Sequence, residues 1–100
     1  MSGIRHVVCL RFVDDPPDGA VDSIVEHLCA LPSRIAAIEG YHVGRDLGIN
    51  PGTFDLVVVG DFADADAYRT YRDHPEHRRV IDDLITPILV DSATVQSERT

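Results

Sequence analysis

Alternation of apolar and polar positions is clearest near the start of the chain. From Ile4 to Phe12 the even-numbered residues face one way and the odd-numbered residues the other, a period of two that predicts a strand. Val7 and Cys9 fall on the second face, so both faces carry apolar side chains. Residues 54–62 are apolar on both faces through their middle and predict the central strand of a sheet. Weaker patterns predict strands over 41–47 and 88–95, and we expect residues 96–100 to form a frayed tail.

Helical spacing of apolar residues occurs in two places. The first stripe predicts an amphipathic helix that Pro32 ends; it comprises Val21, Ile24, Val25, Leu28 and Leu31. A short helical turn is expected at residues 35–38. The second helix should be capped near Asp64, carry Ala67, Tyr68 and Tyr71 on its buried face, and end near Asp73. Pro75 should begin a further helix that Pro87 closes.

The order of these elements predicts the fold class. Strand, helix, strand, strand, helix, strand is the order of an α+β, ferredoxin-like βαββαβ sandwich with an antiparallel sheet. Its helices suffice to cover only one face of that sheet, although apolar residues lie on both faces of the first and third strands. We therefore expect a homodimer in which a second copy covers the open face.

Length and composition restrict the class of protein. One hundred residues correspond to one domain, residues 1–100. The chain is 44% hydrophobic, yet it has no apolar run of membrane-spanning length and no signal-peptide pattern. We expect a soluble, cytoplasmic protein. Cys9 and Cys29 have no C-x-x-C spacing and are expected to be buried, reduced thiols.

The charge balance excludes two kinds of partner. The chain has 17 acidic and 9 basic residues, for a net charge of −8. Such a surface repels phosphate backbones and anionic lipid headgroups. We expect neither nucleic acid nor membrane as a partner.

Candidate chemistry concentrates in residues 66–77, where two phenols and two imidazoles lie within three helical turns. Because Pro75 starts a new helix, His77 falls in a first turn, beside unsatisfied N–H groups that disfavour protonation of its imidazole. In an unbroken helix His74 would share the face of Tyr71, whereas a break at Pro75 could bring His77 there instead. The spacing leaves both pairings open.

Structural roles and a metal site are the alternatives to catalysis. An H-P-x-H segment is often a capped helix junction, and a single histidine such as His6 in an apolar strand face is commonly a core residue with one hydrogen bond. The i, i+3 spacing of His74 and His77 could hold a divalent ion, but no third or fourth ligand lies nearby in the sequence. We therefore predict no metal.

Several segments together resemble the stress-responsive α/β-barrel (Dabb) domain. They are Arg5–Phe12 with the pattern R/K-H-x-x-x-x-x-F, Gly44–Asp46, the strand 54–62, and the Y-x-x-H-P-x-H segment Tyr71–His77. The resemblance covers about residues 3–97, the expected core of the domain. It implies a ferredoxin-like fold whose sheets pair face to face into a dimeric α/β barrel.

The resemblance implies more than one function. Some Dabb proteins are stress proteins with no settled activity, and the resemblance to them implies a small-molecule-binding or stress-related dimer without turnover, which is the hypothesis we place first. Others resemble cofactor-independent polyketide cyclases or lyases, which perform an intramolecular aldol condensation without cofactor or metal. A monooxygenase of the wider dimeric α/β-barrel superfamily would share the fold but not the motif.

The cyclase resemblance also implies the site residues. The matching catalytic positions are His77 as base, Tyr71 as hydrogen-bond donor to the developing oxyanion, and His6 in the same cavity. The expected substrate-binding residues share faces with these groups; they are Val8, Leu10, Tyr68 and His74.

Overall fold

A four-stranded antiparallel sheet forms one layer of the protein and helices form the other. The computed structural model describes residues 3–99. The strands are β1 (Gly3–Phe12), β2 (Gly40–Arg45), β3 (Leu56–Phe62) and β4 (Leu89–Arg99). They lie side by side in the order β2-β3-β1-β4. This arrangement confirms the ferredoxin-like α+β fold predicted from the order of elements.

The helices begin and end close to the predicted residues. They are α1 (Ala20–Ala30), α2 (Ala65–Asp73) and α3 (Pro75–Val80). The Asp64 carboxylate accepts a hydrogen bond from the backbone N–H of Ala67 and so caps α2. Pro75 is the first residue of α3, where a missing N–H removes no helical hydrogen bond. The helical path continues through a wide turn at Ile81–Ile85 and a 3₁₀ turn at Thr86–Ile88.

The hydrophobic core lies between the helices and one face of the sheet. Burial along β3 alternates strictly, with Leu56, Val58 and Phe62 buried and the intervening residues half-buried. From β1, Leu10 and Phe12 enter the same core. The helical layer supplies the rest of the core, chiefly Ile24, Leu28, Leu31, Ile35, Tyr71, Val80, Ile85 and Ile88.

Two segments differ from the expectation. Residues 35–38 form no helix; the short 3₁₀ helix lies earlier, at Leu31–Ser33, because Pro32 fits into a first helical turn. The predicted frayed tail is wrong for residues 96–99, since β4 stays paired with β1 as far as Arg99 opposite Gly3. Thr100 lies outside the described residues. Continuous backbone hydrogen bonding to a central strand thus outweighs the weak side-chain alternation of residues 96–99.

The two cysteines are free thiols but are less buried than expected. Cys9 is half-buried on the open face of the sheet, and Cys29 is exposed. Cys29 follows the buried Leu28 on α1, so it lies just off the apolar stripe of that helix.

Opposite the helices, the sheet presents an apolar face without a cover from the described chain. Val59, Val7 and Val95 face one another across β3, β1 and β4, and Cys9 pairs with Val57 one step further along. Val95 is 58% exposed. Among the described helices, none is long and apolar enough to cross a membrane.

Candidate functional site

A cavity of about 270 Å³ lies between the sheet and the helices, above β1 and β4. Six of the seven residues singled out from the sequence line it: His6, Val8, Leu10, Tyr68, Tyr71 and His77. The remaining lining residues are half aliphatic and half polar or charged; the aliphatic ones are Leu28, Val58, Ile81, Ile85 and Leu89, and the others are Arg72, Arg78, Ser92, Thr94 and Gln96. The cavity therefore combines an apolar wall with imidazole and phenol groups.

His77 is held by the junction between α2 and α3. Its side chain is 8% exposed, and its Nδ1 lies 3.0 Å from the carbonyl oxygen of Arg72. Because a carbonyl can only accept, Nδ1 must carry the proton in this contact, which leaves the lone pair of the neutral ring on Nε2. Burial lowers the pKa of His77 below its usual value, more strongly than the Arg72 carbonyl raises it. His77 is thus a neutral imidazole with a proton-accepting Nε2.

The same junction settles which histidine faces Tyr71. The rings of His77 and Tyr71 pack with centroids 4.1 Å apart and planes inclined at 33°. His74 has an extended backbone and caps α3, its Nδ1 accepting a hydrogen bond from the N–H of Glu76 at 3.1 Å. His74 is not among the residues that line the cavity. The structure therefore does not bring the expected substrate-binding His74 to the site.

Tyr71 forms a hydrogen bond with a residue that the sequence analysis did not identify as part of the site. Its hydroxyl lies 2.8 Å from the hydroxyl of Tyr41, which reaches over from β2. Tyr41 pairs with Gly60, where a Cβ would lie 3.0 Å from the Phe62 ring and 3.5 Å from the Tyr41 ring, so glycine leaves room for both aromatic rings. Burial raises the pKa of Tyr71 to about 12 and that of Tyr41 further still. Both phenols stay protonated and can donate at neutral pH.

His6 has a partner in β4. Its side chain is 7% exposed, and the side-chain amide nitrogen of Gln96 lies 2.7 Å from its Nδ1. The amide N–H donates, so Nδ1 accepts and the proton of the neutral ring is on Nε2. Burial lowers the pKa of His6, and the nearby His77 lowers it further. The two imidazoles therefore present opposite groups, a donor N–H on His6 and an acceptor nitrogen on His77.

Gln96 lies opposite His6 in the β1–β4 register, in the segment expected to fray. Only the pairing of β4 with β1 could have revealed it, because 90 positions separate the two side chains in the chain. Tyr68 also packs against His6, with ring centroids 4.9 Å apart. The His6 ring is therefore held by one hydrogen bond and one aromatic contact.

The charged residues that line the cavity are all basic. Arg72 and Arg78 line it, and none of the described lining residues is acidic. Asp73 binds the Arg72 guanidinium through two contacts of 2.9 and 3.0 Å, and Asp82 binds that of Arg78 at 3.2 Å. Within residues 3–99, no group of three or more histidine, cysteine or acidic side chains is placed to hold a metal ion.

A four-stranded antiparallel sheet with helices on one face, a row of apolar side chains on the opposite face and this cavity define a ferredoxin-like protein of the dimeric α/β-barrel class. Residues 4–98 match the Stress responsive A/B Barrel Domain (Dabb) family, and the chain belongs to that family. The family membership expected from the sequence is thereby confirmed.

Solved structures agree with this assignment. A dimeric ferredoxin-like protein of unknown function from Thermobifida fusca YX is 36% identical, with a TM-score of 0.88 over 98% of this chain and 92% of its own. A dimeric protein of unknown function and ferredoxin-like fold from Bacteroides fragilis is 27% identical, with a TM-score of 0.85 over 99% and 98%.

A third structure, the hydroxynitrile lyase from Passiflora edulis, shares the fold at 14% identity, with a TM-score of 0.85 over 99% and 94% of the two chains. No curated protein matches the chain. The comparisons thus identify the family and the fold, and they do not establish an activity.

Proposed function

We propose that this protein is a homodimer that binds one small organic molecule in the cavity of each subunit. The observation that carries the proposal is the cavity itself, a partly open space of about 270 Å³ lined by aliphatic side chains together with imidazole, phenol and other polar groups. That combination is typical of small-molecule sites, in which the apolar wall provides affinity and the polar groups fix orientation.

Two observations support the homodimer. The row formed by Val59, Val7 and Val95 is apolar, and the helices of the same chain lie on the opposite side of the sheet. Relatives from Thermobifida fusca and Bacteroides fragilis are dimeric ferredoxin-like proteins. Pairing of two sheets through their open faces would remove this apolar surface from water.

A titration followed by NMR tests ligand binding. Either 1-octanol or octanoate should shift the ring signals of His6 and Tyr68, which lie against the cavity, and should raise the melting temperature. The matched control is Val8→Phe, which fills the cavity from β1 and should abolish both effects while the dimer persists. The proposal fails if neither compound perturbs these rings, or if Val8→Phe binds as well as the unmodified protein.

The opposite tautomers of His6 and His77 favour a second candidate, a cofactor-independent cyclase or lyase. Nε2 of His77 would remove a proton from a carbon next to a carbonyl, and the resulting enolate would attack a second carbonyl of the same molecule. A carbon–carbon bond forms, and the new alkoxide takes a proton back from the His77 imidazolium. A base in this position contributes about 10²–10⁴-fold.

Hydrogen-bond donors for the oxyanion come from Tyr71 and His6. A hydroxyl both donates and accepts, so a Tyr41 that donates to Tyr71 leaves the Tyr71 proton free for the substrate oxygen. The Nε2–H of His6 is a second donor. On this scheme Tyr71→Phe should lower turnover by about 10²–10³-fold, as expected for the loss of one oxyanion donor.

The diketone 2,6-heptanedione, which can close to a six-membered ring by an intramolecular aldol reaction, tests the catalysis. Cyclisation should be faster with the protein than in buffer, and His77→Gln should remove the acceleration. His27→Gln is the control, because His27 is exposed on α1 and lies outside the cavity. Equal rates for the protein and for His77→Gln would contradict the catalytic role and leave the binding function intact.

The tautomers can be measured independently of any substrate. Ring ¹⁵N shifts should show protonation at Nδ1 in His77 and at Nε2 in His6. Replacement of Gln96 by Glu should reverse the tautomer of His6, because a carboxylate only accepts. A His6 that is already protonated at Nδ1 in the unmodified protein would contradict the donor role given to it here.

A further inference from the structure

We infer that the ligand of this cavity is a small monocarboxylate with an apolar body, bound with its carboxylate against Arg72 and Arg78. The inference rests on the proposed small-molecule function and specifies the chemical class of the ligand. The charge of the residues that line the cavity differs in sign from the net charge of the protein.

The chain as a whole is strongly acidic, with 17 acidic and 9 basic residues. The cavity nevertheless has no acidic residue among its described lining residues and is lined by two arginines. Its other titratable groups are His6, His77 and the phenols, none of which carries a negative charge at neutral pH. An anion therefore meets no like charge among the residues that line this cavity, although the protein as a whole carries a net charge of −8.

Both guanidinium groups retain free donors. A guanidinium has five N–H bonds; Asp73 contacts two nitrogens of Arg72, and Asp82 contacts one nitrogen of Arg78. Asp73 and Asp82 have side chains that are 65% and 60% exposed, so these two carboxylates are themselves largely solvated. The remaining N–H bonds are available to a carboxylate, which guanidinium binds with matching planar geometry.

The rest of the cavity fits the apolar part of such a molecule. In the β1–β4 register His6 is opposite Gln96, and Leu10 is opposite Ser92 four residues further along β1. Tyr68, one helical turn before Arg72, packs on His6, so Arg72 neighbours the side chain that contacts the His6 ring. Aliphatic side chains line the wall beyond it, namely Leu10, Leu28, Ile85 and Leu89. A volume of about 270 Å³ suits an alkyl chain or a single ring.

A matched pair of ligands tests the inference. Octanoate and 1-octanol have the same chain length and differ in the carboxylate, and about pH 8 keeps octanoate ionised. We expect octanoate to bind at least about tenfold more tightly, since hydrogen bonds to charged groups are the stronger kind. Calorimetry gives the two dissociation constants, and the NMR shifts of His6 and Tyr68 show that binding occurs in the cavity.

Three arginine variants locate the carboxylate. Arg72→Gln and Arg78→Gln should each weaken octanoate about tenfold and leave 1-octanol unchanged. Arg79→Gln is the control, because Arg79 is adjacent in sequence but lies in a different groove, where it contacts Glu76. All three replaced side chains are surface charges, so the fold should tolerate the changes.

The outcomes separate this inference from the proposed function. Equal affinity for the two ligands, or a preference for octanoate that survives both Arg72→Gln and Arg78→Gln, overturns the inference and leaves small-molecule binding in place. If neither ligand perturbs His6 and Tyr68, the binding function and the inference both fail. A preference for octanoate that both variants lose and Arg79→Gln keeps supports the assignment.

Discussion

The two faces of the sheet are built from the same strands, yet their side chains have different surroundings. On the helix-covered face Leu56, Val58 and Phe62 of β3 are at most 4% exposed. On the opposite face Val57 and Val59 of the same strand are only half-buried. The valines of this strand are equally apolar on both sides, so the difference in their burial arises from where the chain places its helices.

This contrast separates the interactions that stabilise the subunit from those that would hold two subunits together in the proposed dimer. The covered face is closed by the chain's own helices and contains the cavity at one end. The open face is apolar without being closed, a property that ordinary monomers avoid over large areas. Mutations on the two faces should therefore affect different equilibria, folding on one side and dimerisation on the other.

The largest effect is expected on the open face, from Val59→Asp. Val59 lies in the centre of the apolar row, and a dimer would bury the new charge twice without a partner. We expect a loss on the order of 3–5 kcal/mol of dimerisation free energy for each buried charge. Sedimentation velocity over a range of concentrations measures it. Ala36→Asp, at an exposed turn, should leave the dimer unchanged, and an unmodified protein that sediments as a stable monomer would contradict the prediction.

On the covered face the corresponding change is Phe62→Ala. The ring is 0% exposed and packs against Tyr68 and Tyr71. Its removal should lower the free energy of unfolding by about 3–5 kcal/mol through lost burial and a residual cavity. Urea denaturation at fixed protein concentration measures the change. Phe62→Leu, which retains much of the apolar volume, should cost clearly less, and equal losses for the two variants would argue against packing as the cause.

A smaller effect is expected from the hydroxyl pair of Tyr41 and Tyr71. Removing one hydroxyl leaves the other buried without its partner, which should cost about 1–3 kcal/mol of folding stability. The double variant Tyr41→Phe/Tyr71→Phe should cost less than the sum of the single variants. A double-mutant cycle in urea measures this coupling, and additive losses would show that the hydroxyls do not stabilise each other.

The smallest effect concerns pH. Burial lowers the pKa of His6 and of His77 in the folded protein below the ordinary value of 6.5. Between the folded and unfolded pKa values the unfolded chain binds more protons, so stability falls as the pH decreases below about 6.5. The slope is at most about 1.4 kcal/mol per pH unit for each histidine.

Denaturation curves at several pH values, compared with His77→Gln, measure this dependence. The variant should lose part of the slope, because one buried imidazole is gone. His27→Gln should retain the full slope, since His27 is exposed. A slope that is unchanged in His77→Gln would show that His77 does not contribute to the acid sensitivity.

Local sequence determined most of the architecture of this protein. Periodicity predicted the strands and helices, Asp64 and Pro75 marked the starts of α2 and α3, and the order of the elements predicted the ferredoxin-like fold. These features depend on interactions between residues close in the chain, which spacing and propensity describe well. Apolar residues on both faces of β3 likewise led to the expectation of a second copy.

The tertiary structure decided which side chains meet in the site. His77 rather than His74 faces Tyr71 because His74 is extended at the helix junction, and no helical spacing can be counted across such a break. Tyr41 reaches Tyr71, and Gln96 reaches His6, across 30 and 90 positions of the chain. Those contacts follow from sheet register and from the docking of α2 on the sheet. Side-chain partners so distant in sequence have no local signal, because only the folded arrangement of strands brings them within hydrogen-bonding distance.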